Sequence, residues 1–232
     1  GFMTCVSVSG QSVWALDSSG NIYYGTSPDL IAGGSWTPIP GVLSNISVSG
    51  DDVMGVNSSM QIFYGSAPAL TSGGGGWTQV SGLLTCVSLS GTGDVWGVNS
   101  SGYVYWGSVS GLVAGGEWTQ VKEGLLANIS VSGENAWGVN SSGQIYTSTT
   151  SSLQSSKPDW TPISGVLAMV AVSGTVVWGV NSANMLYSCI QENGSVTGWR
   201  HLDGSLTWVS VEANGSTLGV INADALASCV YE

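Results

Sequence analysis

The chain has 232 residues, of which 43% are apolar and 7% charged, and its formal charge is -11. That composition supports a packed core along the whole length and excludes a disordered chain, which carries few apolar groups and many charges. Lys122, Lys157 and Arg200 are the entire cationic complement, so binding to nucleic acid, to anionic membrane surfaces or to sulfated glycans is excluded for want of positive charge.

Taken in order, the chain opens with VSVS ending before Gly10, an alternating segment that reads as a strand. VWALDSSGNIYY from Val13 follows, two strands joined by a short polar turn with Gly where a positive φ is needed. A Gly-rich connection then leads to SWTPIPGVL from Ser35, a fourth strand. The same unit returns. Counterparts of the first strand end at Gly50, Gly91, Gly133 and Gly174, at spacings of 40 to 42 residues, and a sixth, VSVEANG, ends at Gly215. The hairpin returns from Val53, Val95, Ala136 and Val177, and in worn form from Thr217.

A four-stranded unit of this period cannot bury both faces alone, and radial stacking lets each cover the next. The expected fold is therefore all-β: a six-bladed β-propeller forming one domain over residues 1–232, with repeats at about 1–43, 44–84, 85–126, 127–167, 168–206 and 207–232. The W-T strand occurs only five times, at Trp36, Trp77, Trp118, Trp160 and Trp199. The sixth blade is thus expected to be three-stranded, and its edge to be covered by a second subunit or a terminus.

The WGVNSSGQIY and SWTPIPGVL patterns resemble the tectonin repeat family, which includes slime-mould and fungal tectonins, tachylectin-1 and the fish egg lectins. Six tandem copies carry the resemblance over essentially the whole chain. It implies a six-bladed propeller with lectin activity, directed in several fungal and invertebrate members at O-methylated glycans, and a role in innate defence or recognition. Some members of the family act instead as protein or membrane-recruitment modules.

The residues offer little else. His201 is the single histidine, beside Arg200, and nothing around it resembles a nucleophile elbow. Asp51-Asp52 is the only adjacent acidic pair and no calcium-loop spacing follows it. No cofactor, metal or catalytic residue is expected. Cys5 and Cys86 share one repeat position, Cys189 and Cys229 another; equivalent positions on different blades lie too far apart to bridge, so four free thiols are expected. Asn-x-Ser sequons recur at Asn45, Asn57, Asn99, Asn128, Asn140, Asn193 and Asn214. With a first segment that lacks a leader pattern, they point to a cytoplasmic protein or one released by a non-classical route.

What remains is neutral polar and aromatic surface, suited to stacking on the C–H face of a sugar and bonding its hydroxyls. Trp14, Trp96, Trp137 and Trp178 lie mid-strand and read as core. Tyr24, Tyr64 and Trp106 share the repeat position directly after Tyr23, Phe63 and Tyr105, which becomes Thr147, Ser188 and Ser228 in later copies. A core position would rarely degrade that way, so these three aromatics are candidate sugar contacts. Asp17, Asn57, Asn99, Asn140 and Asn181 end the preceding strand; they either cap the turn or bind hydroxyls. The expected function is a multivalent lectin for neutral glycans, O-methylated ones included. A protein-interaction scaffold is the alternative, and a glycosidase would need two carboxylates converging in one cleft.

Overall fold

The computed structural model describes residues 3–192 and 195–211, and residues 218–222 and 225–229 as backbone. Its first sheet is an antiparallel meander of β1 (Met3–Ser9), β2 (Ser12–Asp17), β3 (Asn21–Thr26) and β4 (Thr37–Val42), with helix α1 (Ser27–Ile31) between β3 and β4. The second repeats it as β5 (Asn45–Ser49), β6 (Asp52–Val56), β7 (Gln61–Ser66), α2 (Ala67–Thr71) and β8 (Thr78–Leu83). The third consists of β9 (Cys86–Leu89), β10 (Asp94–Val98), β11 (Tyr103–Ser108), α3 (Val109–Val113) and β12 (Thr119–Leu125). The fourth runs β13 (Asn128–Ser132), β14 (Asn135–Val139), β15 (Gln144–Thr149), α4 (Thr150–Leu153) and β16 (Thr161–Val166).

The fifth blade departs from the pattern. Its strands are β17 (Met169–Ser173), β18 (Val176–Val180), β19 (Met185–Glu192) and β21 (Arg200–Ser205), and in place of a helix β19 folds back on β20 (Ser195–Val196). A last sheet holds β22 (Trp208–Val211), β23 (Leu218–Asn222) and β24 (Ala225–Cys229). The fold is an all-β propeller, but the six-bladed expectation needs correction: five blades are complete and the last sheet has three strands among the described residues. The W-T segment occurs five times in the sequence, once in each complete blade. Gly215 and residues 1–2 lie outside the described residues.

The V-S-V-S pattern explains how the inner strands hold one another. Alternate residues point into the seams between blades, and there the serine hydroxyls accept backbone N–H groups from the next blade. Ser7 accepts from Val48 (2.9 Å), Ser47 from Leu89 (3.0 Å), Ser88 from Val131 (2.9 Å) and Ser130 from Val172 (3.0 Å). Ser210 accepts from Val8 (3.2 Å), and Trp208 Nε1 donates to the Val6 carbonyl (3.0 Å), tying the last sheet to the first. Asn45 and Asn128 serve the same seams, accepting from Val87 and Val170. Asn45 is 6% exposed, which leaves its side chain no room for a glycan.

The outer strands are joined differently. Trp77, Trp118, Trp160 and Trp199 each donate their indole N–H to a carbonyl on the preceding blade, those of Pro40, Ser81, Glu123 and Ser164. The ring lies over the following glycine, whose φ is between 93° and 125° in all four copies. A Cβ on Gly41 would sit 2.8 Å from Trp77 Nε1, so this glycine serves both the backbone conformation and the close approach. The mid-strand tryptophans are core: Trp14, Trp96 and Trp137 are fully buried and Trp178 nearly so.

Candidate seam site

The two ends of the ring differ. At one end lie the hairpin turns that begin with Asp17, Asn57, Asn99, Asn140 and Asn181. Each side-chain Oδ1 accepts two backbone N–H groups of its own turn, at 2.9 to 3.0 Å in every copy. These are Asx turns, the capping alternative. In the first copy, desolvation pushes the Asp17 carboxyl upward, but hydrogen bonds from Asn21, Ser19 and Tyr23 outweigh it and hold the group below its ordinary value. None of these five residues lines the clefts described next.

The helices lie at the opposite end, tied to the first hairpin turn of each blade through bonds such as the Ala67 amide to the Asp51 carbonyl (2.8 Å). There they close the seams. Ala67 and Leu70 of α2 pack with Trp14 and Tyr24 of the first blade, Val109 and Leu112 of α3 with Tyr64, and Leu153 of α4 with Trp96 and Trp106. Tyr24 lies 5.3 Å from Trp14 and Trp106 stacks 5.9 Å from Trp96, centroid to centroid. Tyr24 and Trp106 are therefore half-buried wedges between blades. Tyr64 lines a cleft of about 450 Å³ shared with α3, and its hydroxyl donates to Asp52 (2.9 Å). Desolvation and this bond raise its phenol above the ordinary value.

Between the fourth and fifth blades the plug is missing twice over. The wedge position holds Thr147, and the fifth blade brings the β19–β20 hairpin where a helix would sit. The result is a cleft of about 640 Å³ lined by Thr147, Ser148, Asp159, Pro162, Gln191, Thr197 and Trp199 among others. Its floor is polar but ordered. Thr147 donates to the Ala136 carbonyl (3.2 Å), Ser148 to that of Asp159, and Thr197 Oγ1 accepts from the Ile190 amide (2.8 Å). Gln191, 9% exposed, accepts from Trp137 Nε1 at 2.6 Å. That bond fixes the amide: with Oε1 toward the indole, Nε2 is the remaining donor of a side chain that lines the cleft. Trp199, half-buried, supplies an aromatic face, held by Ser164 and set edge-on to Trp137 at 6.2 Å. Asp159 is exposed and is the only ionisable group of the lining among the described residues.

The seam residues Thr147, Asp159, Gln191 and Trp199 were not among the sequence candidates. A signal existed, in the loss of both the aromatic and the following glycine at Thr147-Ser148, and in the fifth copy's QENGSVTGW connection. On sequence alone the aromatics at that position are candidate ligand contacts; in the fold Tyr24 and Trp106 pack within seams and Tyr64 lines a cleft. Elsewhere, His201 is an exposed strand residue against Tyr187 (5.2 Å). Cys5, Cys86 and Cys189 are free and buried, and the Cys229 side chain lies outside the described residues.

The blades repeat one seam design, and the cleft between the fourth and fifth departs from it. The chain belongs to the Tectonin domain family, whose model matches residues 1–122 and 111–228. Comparison with the curated proteins gives no match. Among solved structures the chain is similar to YCF48 from Cyanidioschyzon merolae, with 16% identity and a TM-score of 0.63 over 97% of this chain and 81% of that one. It is also similar to the β-propeller domain of Cps50 (Swd1) from Myceliophteria thermophila, with 11% identity, a TM-score of 0.65 and coverage of 95% and 79%. The WD40 repeats of RRP9 align at 11% identity and a TM-score of 0.62, covering 94% and 86%. These likenesses concern the fold alone.

Proposed function

We propose that the protein is a lectin that binds neutral glycans, O-methylated ones among them, without transforming them, and that its principal site is the cleft between the fourth and fifth blades. The observation that carries this reading is the chemistry of the lining: one aromatic face, a buried amide donor, several hydroxyls, one carboxylate and no cation. Saccharides present a C–H face for stacking and a rim of hydroxyls for hydrogen bonds, and such a lining answers both. An anionic sugar would meet Asp159 with no countercharge. The closed seams at Tyr24 and Trp106 favour one dominant site over equal sites in every blade. The protein-interaction scaffold is the second reading.

A glycan array of the intact protein, followed by titration of the best hit, tests the proposal. Binding should be lost in Thr147→Trp, which restores the wedge, and kept in a Tyr24, Tyr64 and Trp106 triple alanine variant. The reverse pattern would move the site to the other seams, and an array without any hit would favour the scaffold. We also read the three-stranded sheet as the sixth blade, its edge covered by a second copy or by a terminus; sizing with light scattering should give a dimer in the first case, and a monomer would reject the subunit contact.

A further inference from the structure

The polar cleft occupies only part of its seam. Along β16 from Ser164 to Gly165 the wall changes from hydroxyl to hydrocarbon. A second cavity of about 200 Å³ opens there, lined by Ile145, Gly165, Val166, Leu167, Tyr187 and Trp199. Trp199 is common to both cavities, pinned at their junction by its 2.9 Å bond to the Ser164 carbonyl. Its ring stands off its glycine much as that of Trp118 does, and farther than those of Trp77 and Trp160. A Cβ on Gly165 would lie 3.3 Å from Trp199 Nε1, against 2.8 Å for Gly41 and Trp77 and 3.2 Å for Gly82 and Trp118; Gly124 and Trp160 are closer still. Val166 at the mouth is 65% exposed, more than any other large apolar side chain described.

Hydrocarbon left open to water beside an apolar cavity is a place where a ligand gains by burial. An apolar cavity of about 150 Å³ holds a benzene ring, so this one has room for a phenyl or short alkyl group. No charged side chain lines it. Resting on the lectin reading above, we infer that the ligand is an amphipathic glycoside. Its neutral sugar fills the hydroxyl-lined cleft, and its alkyl or aryl aglycone crosses Trp199 into the pocket of Ile145, Val166, Leu167 and Tyr187. The aglycone adds affinity, and the sugar supplies selectivity.

The test uses the intact protein and eight probes, the methyl and phenyl β-glycosides of glucose, galactose, mannose and N-acetylglucosamine, by titration calorimetry. For whichever sugar binds, the phenyl member should bind about tenfold tighter than the methyl member, a typical return for burying one ring. Val166→Glu, a change at an exposed position, should abolish that gain and leave the methyl glycoside affinity unchanged. Equal affinity for methyl and phenyl members would overturn the inference while leaving the lectin reading intact. A phenyl gain that survives in Thr147→Trp would overturn the inference together with the choice of cleft, since both the sugar and the ring would then bind elsewhere. No binding by any of the eight would overturn the inference, and the glycan array decides the lectin reading separately.

Discussion

Removing the acceptor from Trp137 tests the seam where structure and function meet. Trp137 is fully buried and its indole N–H reaches Gln191 Oε1 at 2.6 Å. Gln191→Leu keeps the volume but strands that donor, and a buried donor left without a partner costs about 1–3 kcal/mol. At about 2–4 °C per kcal/mol for a chain of this size, the midpoint should fall by about 5 °C. Two internal controls exist, because Trp14 and Trp96 already bury an indole N–H that meets no partner. Trp14→Phe therefore removes an unpaired donor, whereas Trp137→Phe removes a paired one and strands Gln191 in turn. Both lose the same ring volume, so Trp137→Phe should cost more, by about 1–3 kcal/mol. Denaturant unfolding of the Trp137→Phe, Gln191→Leu double-mutant cycle should give a coupling of at least about 1 kcal/mol. A coupling near zero, or equal costs for the two Trp→Phe variants, would refute the reasoning.

Met60 occupies the left-handed turn position (φ 64°) held by glycine in three other copies, so Met60→Gly should raise stability by about 0.5–1 kcal/mol; a loss in denaturant unfolding would count against the turn assignment. Gly20→Ala should destabilise strongly, since its Cβ would lie 2.5 Å from the Leu43 carbonyl oxygen; thermal melting checks it. Burial pushes the Cys5 and Cys189 thiols up to about 12. Their folded values exceed the unfolded value near 9, so the stability they contribute is full below about pH 9 and is lost as pH rises towards 12. Unfolding at stepped pH should show that decline, shallower in Cys5→Ala, and a decline unchanged by the substitution would exclude Cys5 as its source. Asp17 is held low, so its contribution is present above the unfolded carboxylate value and is lost as pH falls through the folded one. An Asp17→Asn variant, matching the other four copies, should lose the acid-sensitive component of the first hairpin; an unchanged acid profile would contradict this.

The repeat made the sheets legible. V-S-V-S, the Asx hairpin and the W-T segment recur at one period, and each local pattern agrees with the same ring. The short helices were not legible, because SPDLI or APALT is too short for a helical period to register. What marks them is Pro at the first turn and a Leu that packs on the strand glycine, as Leu70 does on Gly65. The site was half legible. The change from Tyr24, Tyr64 and Trp106 to Thr147 could be read from the sequence, but its sign could not, since only the packed seam reveals that the aromatic is a plug. Gln191 was invisible because its role depends on Trp137, 54 residues away. The turn asparagines posed the opposite problem: their residue type fits a sugar contact and an Asx turn equally, and only the bonds to Ser59, Ser101 and Ser142 decide.

Fluorine NMR of protein labelled with 5-fluorotryptophan, titrated with the best glycan from the array, asks the question most directly, because the tryptophans report separately on each seam. Trp199 should shift most and Trp137 next, with Trp106, Trp77 and Trp118 unmoved. Shifts centred on Trp106 with Trp199 unchanged would contradict the account.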